Sequence, residues 1–236
     1  MGVVLCAFGI IVHSCSQNDS CFEGIGTHTE TRVETQAATT LSIFGIADID
    51  FIEDTTNFCI IRGGKNIVKQ VRISHADSCL SIHNYTECYM LKNQERPHIT
   101  IHAQGIQTIY IEEACSFSTP TKITLPLHMY MNAYVADISL MLNTSEFMFT
   151  TWNKAGGVFN FSGTCTDAYL QANYTSQILA ENLKINNCIF KHASIQNCTV
   201  WVTDTLTVET NKTGTLLYKG TPNVITKNNS LVQKME

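Results

Sequence analysis

The sequence predicts an all-β protein, a parallel β-helix or β-solenoid with two short strands per rung of roughly twenty residues. Three observations carry this. Apolar anchors recur at Ile138, Val158, Ile178, Cys198 and Leu216, with spacings of 20, 20, 20 and 18 residues. A second series, Phe147, Ala168, Cys188 and Leu206, falls midway, with spacings of 21, 20 and 18. A fixed period of this size marks one supersecondary unit stacking on the next. Finally, 44% of the chain is apolar and only 15% charged, and alternating apolar runs are broken by Thr, Asn, Ser and Gly. That composition supports a packed core and excludes a disordered chain.

The elements follow in order. Leu41 to Glu53 alternates, with Gly45 marking a turn or bulge. Phe58-Cys59-Ile60-Ile61 is a strand closed by Gly63-Gly64, and Asn66 to Val71 fits a short helical turn. Val71 to Ser74 and Cys79 to Ile82 are strands around the polar turn His75-Ala76-Asp77-Ser78. Ile99 to Ile101 and Ile109 to Ile111 continue the alternation. The longest alternating run, Ile123 to Met131, contains Pro126, which requires an edge or bulge position. From there the repeat runs to Leu217, with turns at Asn143-Thr144-Ser145, Gly156-Gly157, Ser162-Gly163, Asn186-Asn187 and Lys212-Thr213-Gly214.

The domain organisation reads as a signal peptide over 1–14, a tether over 15–30, the β domain over 31–225 and a tail over 226–236. Gly2 to Val12 is apolar but too short to span a bilayer, which takes about 20 residues, and suits a secretory signal. The first basic side chain is Arg32, so either the basic segment of such a signal lies upstream of Met1, the favoured reading, or export relies on the N-terminal amine. Val12-His13-Ser14-Cys15 resembles a bacterial lipobox, with an atypical His13, and makes Cys15 the candidate site of lipid attachment. A cleaved signal that leaves Cys15 an ordinary thiol is the alternative. Of the 10 cysteines, removal of Cys6 and lipidation of Cys15 leave eight, which export could oxidise. Cys188 and Cys198 sit in the anchor series, so packing as small buried hydrophobes is the favoured role.

Candidate chemistry is sparse. The 15 basic and 20 acidic residues give a net charge of −5, and no arginine follows Arg96, so nucleic acid is a poor partner. His98 and His102 could suggest a metal pair, but Pro97 and the β-branched residues favour a strand. There the imidazoles would lie about 13 Å apart. Asp137, Glu146, Asp167 and Glu181 are scattered, though carboxyls brought together across strands remain open as a hydrolase pair. No catalytic residue, metal site or cofactor is assigned. Eight Asn-x-Ser/Thr triplets read as turn residues. Aromatic side chains can form binding platforms. Trp152, Tyr169, Tyr174 and Trp201 are the candidate ligand-binding residues, drawn from a wider set with Tyr130 and Tyr134.

A family resemblance adds to this reading. Leu41-Ser-Ile-Phe-Gly-Ile-Ala-Asp-Ile-Asp-Phe-Ile-Glu-Asp, Phe58-Cys-Ile-Ile-Arg-Gly-Gly-Lys-Asn-Ile-Val and the closing Tyr218-Lys219-Gly220-Thr221-Pro222 resemble the autotransporter-adhesin head GIN domain family of Bacteroidetes lipoproteins. The similarity covers roughly residues 31–225. Asn-Thr-Ser, Ser-Gly-Thr and Lys-Thr-Gly stand where the family often has Gly-Ser-Gly. The resemblance implies a β-helix of pectate-lyase-like shape and adhesion at the cell surface.

The expected function is therefore a non-enzymatic, exported, lipid-anchored module of the outer membrane or cell surface. It would bind a surface glycan or protein ligand. The alternatives are a carbohydrate-active β-helix enzyme and an envelope protein-interaction scaffold or sensor.

Overall fold

A computed structural model describes residues 24–87, 95–152, 154–211, 213–227 and 231–235. The signal-like segment, Cys15 and its lipobox lie outside the described residues. The element order is β1 (His28–Glu34), β2 (Thr40–Phe44), β3 (Ala47–Glu53), β4 (Phe58–Gly64), α1 (Lys65–Val68), β5 (Val71–Ala76), β6 (Cys79–Asn84), β7 (His98–Ala103), β8 (Thr108–Ile111), β9 (Cys115–Ser118), β10 (Leu127–Met131), β11 (Val135–Thr151), β12 (Gly156–Ser194), β13 (Cys198–Thr210), β14 (Leu216–Lys219), β15 (Asn223–Lys227) and β16 (Val232–Lys234). Strand β1 begins inside the expected tether, and β15 and β16 place strand in the expected tail.

The chain is all-β, but the expected parallel β-solenoid of pectate-lyase-like shape, with short strands in pairs, is corrected. Among the described residues sixteen strands form one sheet of mixed orientation. Eleven lie on the path β1-β4-β7-β3-β9-β11-β10-β8-β2-β6-β5. Pairs β1–β4, β4–β7 and β5–β6 are antiparallel. Strand β11 bends the path back on itself: Asp137–Ser139 pair with β9, and Phe147–Thr151 with β10. Two flanks therefore face one another, giving a nearly closed, barrel-like wall. Strand β12 runs without a break for 39 residues and bends back on itself, since Asn187 is bonded to Asp167 and Ser194 to Tyr174 within it.

The physical reason for the miss is specific. A twenty-residue spacing records how far along the chain the next strand lies. It appears in the registers Phe147↔Ala168, Cys188↔Leu206 and Cys198↔Leu216. It carries nothing about strand order or direction. In the first half β8 pairs with both β10 and β2, and β3 pairs with both β7 and β9. The β5–β6 hairpin turns through Asp77 and Ser78 at φ 48° and 61°, the left-handed pair that a two-residue hairpin requires. Pro126 precedes β10 and so needs no ladder bond, while Ile123 retains only a bridge to Leu142.

The core is built from in-register apolar rows. On one flank Leu80, Leu41, Ile109, Met129, Phe149 and Leu170 are successive partners, all buried. On the other, Ile61, Ile99, Ile49, Phe117, Ile138 and Phe159 form the matching row. The rows meet where the Phe149 and Phe159 ring centroids lie 4.8 Å apart. Two-residue periodicity put these side chains on one face, and closure gave that face its partner.

The six described cysteines are unpaired. Burial pushes the Cys59, Cys115, Cys165 and Cys198 thiols up to about 12, and Cys188 higher still. They pack as small hydrophobes and are poor nucleophiles.

His192, near the end of β12, is buried beside Phe190, and neither ring nitrogen has a hydrogen-bond partner of good geometry. Burial holds its pKa below the ordinary 6.5, against a smaller opposing effect of nearby backbone groups. The unfolded chain thus binds the proton first as pH falls. This contribution to stability is complete above about 6.5 and declines below it, by up to about 1.4 kcal/mol per pH unit until the folded-state value is reached. We expect His192→Leu to show a shallower loss of urea stability between pH 7 and 5 than the parent. The carboxylate-paired histidines are common to both proteins. Identical pH slopes would refute this account.

Candidate functional site

The most exposed aromatic surface forms where the chain leaves β10, β11 and the middle of β12 at one edge. Backbone bonds align these segments. Trp152 N–H donates to Met131 O at 3.0 Å, Gly156 N–H to Tyr134 O at 2.8 Å, and Ile195 N–H to Tyr174 O at 2.9 Å. Asn173 N–H donates to Thr151 Oγ1 at 2.8 Å, and Ser194 Oγ donates to Tyr174 O at 3.0 Å. The result presents Tyr134 (77% exposed), Trp152 (50%), Tyr174 (53%) and Ile195 (55%) together. A recess of about 560 Å³ opens between Tyr134 and Tyr174, lined also by Asn132, Lys154 and Ala155.

Tyr174 adopts φ 58°, in the left-handed region. That conformation disfavours a bulky side chain and suits Gly or Asn. The bonds to its carbonyl and to Asn173 fix this turn, so the position carries an exposed aromatic ring against its backbone preference. Such a conflict at an exposed site points to function.

The structure brings together two of the four sequence candidates, Trp152 and Tyr174, and adds Tyr134 from the wider set. Tyr169 lies elsewhere, on the outer sheet face. It lines a groove of about 510 Å³ with Met148, Ile189, Glu146, Asp167 and Asn187 among its neighbours. Trp201 is half-buried, and Lys219 Nζ sits 4.1 Å above its ring, which leaves that face unavailable as a platform. Asn132, Lys154 and Ile195 were missed. Ile195 was accessible from the repeat, since it falls 21 residues after Tyr174, the local register offset.

The remaining candidates do not assemble a catalytic set. His98 Nε2 is 2.9 Å from Asp50 Oδ2, and Ser118 Oγ donates to the other oxygen of Asp50. The carboxylate stands between histidine and serine, whereas nucleophilic activation needs the imidazole on the hydroxyl. His102 Nδ1 is 2.9 Å from Asp54 Oδ2 and its ring stacks 4.2 Å from Phe58. Bonds from His102 and from the Thr55 N–H hold the Asp54 carboxyl down to about 2. His98 and His102 lie on strand β7, and each has its own carboxylate. Among the described residues no three His, Cys, Asp or Glu side chains converge on a metal-sized site.

Glu146 and Asp167 are register partners, so carboxyls do come together across strands. Glu146 is 3.0 Å from His128 Nε2, and Asp167 accepts from Asn187 Nδ2 at 3.0 Å. They rise side by side from one face of the sheet. A glycosidase places its two carboxyls on opposite sides of the scissile bond. Among the described residues no helix is long and apolar enough to cross a membrane.

Comparison with known proteins supplies the lineage. The chain is similar over 90% of its length to a crystal structure of a putative adhesin from Bacteroides fragilis, at 15% identity and TM-score 0.78, covering 100% of that chain. It is similar to a putative adhesin from Parabacteroides merdae, at 13% identity and TM-score 0.62, with 90% of this chain and 98% of that one covered. A structure described as a putative lipid binding protein from Parabacteroides distasonis matches at 14% identity and TM-score 0.62, over 89% and 98% of the two chains. These likenesses show a shared fold. No curated protein matches the chain. The family model for the putative auto-transporter adhesin, head GIN domain, matches residues 38–222, and the chain belongs to that family.

Proposed function

We propose that this protein is a non-enzymatic surface-binding module that engages a glycan or protein ligand through the aromatic edge of Tyr134, Trp152 and Tyr174. The observation that carries the reading is Tyr174, a bulky exposed ring kept at a left-handed turn. The adjoining recess, lined by Asn132 and Lys154 as well as Tyr134 and Tyr174, sets aromatic rings beside polar groups, the mix typical of recognition surfaces. Export and lipid attachment at Cys15 would hold this surface outside the outer membrane, on the segment that precedes Gly24. Palmitate labelling that is lost in Cys15→Ser supports the anchor, and labelling that persists refutes it.

Paired carboxylates favour a second reading, a carbohydrate-active enzyme. The open, one-sided placement of Glu146 and Asp167 argues against it, and release of sugar from a polysaccharide panel would revive it.

Tyr174→Gly separates binding from folding. Relief of backbone strain offsets the entropy of glycine, so stability should stay within about 1 kcal/mol of the parent. Adhesion of the purified protein to mucin-coated and matrix-coated surfaces should fall at least tenfold, as it should for Trp152→Ala. Undiminished adhesion in both variants would reject the aromatic edge as the binding surface.

A further inference from the structure

The groove around Tyr169 is separate from the aromatic edge and has its own chemistry. Its floor is a short apolar strip on the outer face of the wall. Met148 and Tyr169 are register partners, and Ile189 lines the same groove. Met148 lies on β11, and Tyr169 and Ile189 on two successive passes of β12; neighbouring passes lie about 4.8 Å apart, so the strip extends for roughly 10 Å. Beside it runs a second row. Glu146 is the partner of Asp167, Asn187 is the partner of Thr205, and Asn187 is bonded to Asp167. Apolar floor and polar rail thus run in parallel across the strands.

We propose that this groove binds a neutral oligosaccharide, with one sugar stacked on the Tyr169 ring and its hydroxyls bonded to Asp167 and Asn187. A pyranose has an apolar C–H face and a rim of hydroxyls, which match the strip and the rail. The carboxylates accept two hydroxyl protons each, and the Asn187 amide both donates and accepts. Tyr169 is held in place, since its hydroxyl donates to Gln171 Oε1 at 2.9 Å; Lys191 Nζ lies over one face of its ring at 5.6 Å, farther than the 4.1 Å of Lys219 over Trp201, and the sugar stacks on the face away from Lys191. The Asn187–Asp167 bond likewise sets the rail before a ligand arrives, which lowers the cost of ordering it. At about 510 Å³ the groove has the size of a small-ligand site.

Charge and topology exclude the competing occupants. Glu146 and Asp167 line the groove, with Lys191 and the His128 bonded to Glu146 as the basic side chains beside them, and the carboxylates repel a uronate or sulfated glycan. A peptide captured by strand addition needs a free sheet edge. Here the backbone of β11, β12 and β13 is engaged in the interior of the sheet, and only side chains are offered.

The test is titration calorimetry of the purified full chain with neutral oligosaccharides of glucose, mannose, xylose and N-acetylglucosamine. Oligogalacturonate and a Lys-rich peptide serve as comparison ligands. At least one neutral series should bind, and bind tenfold or more tightly than oligogalacturonate. Tyr169→Ala should weaken it at least tenfold, Asp167→Asn about fivefold, and Tyr169→Phe little. Asp167→Asn keeps the side-chain shape, so it decides the matter if Tyr169→Ala does not fold. Tyr174→Gly should leave this affinity unchanged even where it abolishes adhesion, so the groove and the aromatic edge can fail independently. Binding of the peptide or the uronate in preference to every neutral series would overturn the proposal. So would parental affinity in Asp167→Asn, or no binding by any neutral series.

Discussion

Gly157→Ala should destabilise the protein by about 2–6 kcal/mol, the sum of backbone strain and overpacking of about 1–3 kcal/mol each. Gly157 lies at φ 130°, opposite its register partner Ala136 in β11. A Cβ built there would sit deep inside the van der Waals radius of the Ala136 carbonyl oxygen. That oxygen is backbone in the middle of the sheet and has nowhere to move. Either the β11–β12 ladder opens or the φ changes, and both break the parallel register that carries β12. Small domains are stable by only about 5–15 kcal/mol, so a loss of this size moves the urea midpoint far or leaves the protein unfolded. Gly24→Ala is the control, because nothing lies within 4 Å of a Cβ at that position. A Gly157→Ala midpoint matching the control would show that the strands can separate at no cost.

Phe149→Ala should cost about 3–5 kcal/mol. Phe149 is fully buried, with its ring 4.8 Å from Phe159 and 5.0 Å from Phe161. The Phe149 and Phe159 rows belong to opposite flanks, so this contact joins the two walls rather than neighbours within one. Truncation removes the burial and leaves a cavity that paired strands on both sides cannot collapse. Phe149→Leu should recover most of the loss. Ile225→Ala, at a half-exposed position near the end of the sheet, should stay within about 1 kcal/mol. A Phe149/Phe159 double-mutant cycle measures the joining contact itself. Additive losses in that cycle would mean the flanks do not depend on each other there.

Legibility differed by scale. Strand content was readable for β2 to β8, whereas β1, β15 and β16 fell wholly or partly in segments read as tether and tail. The hairpin around Asp77-Ser78, the helical turn near Ile67 and the turn at Gly45 are all where local chemistry puts them. These depend on φ preference, side-chain alternation and capping, which a short window contains. Cys188 and Cys198, read as core because they fell in the anchor series, are buried. The barrel-like path was not readable, because strand order between β8, β10 and β2 is set by which apolar faces can close on each other. Corner residues misled as well. Asn143-Thr144-Ser145 and Ser162-Gly163 read as breaks between short strands, yet they lie within β11 and β12. Asn143 Oδ1 accepts from Thr164 Oγ1 at 2.8 Å, and Thr144 Oγ1 donates to Leu125 O at 2.9 Å. Polar side chains bonded across strands let the sheet bend without ending it.

The candidate surfaces show the same division. Trp152 and Tyr174 could be chosen from composition, because large amphipathic aromatics are costly to expose without purpose. That they adjoin Tyr134, while Tyr169 faces a separate groove and Trp201 lies under Lys219, depends on which edge or face of the sheet each residue occupies. By itself the sequence determined an all-β chain, its strands, its roughly twenty-residue register and its family. Those are properties of local alternation, spacing and a recognisable order of motifs. Only the tertiary structure decided the mixed order of the strands, the closure of two apolar flanks through Phe149 and Phe159, and the meeting of Glu146 with Asp167. Each of these joins residues through the packing of distant strands, where free energy is gained only when both faces are present.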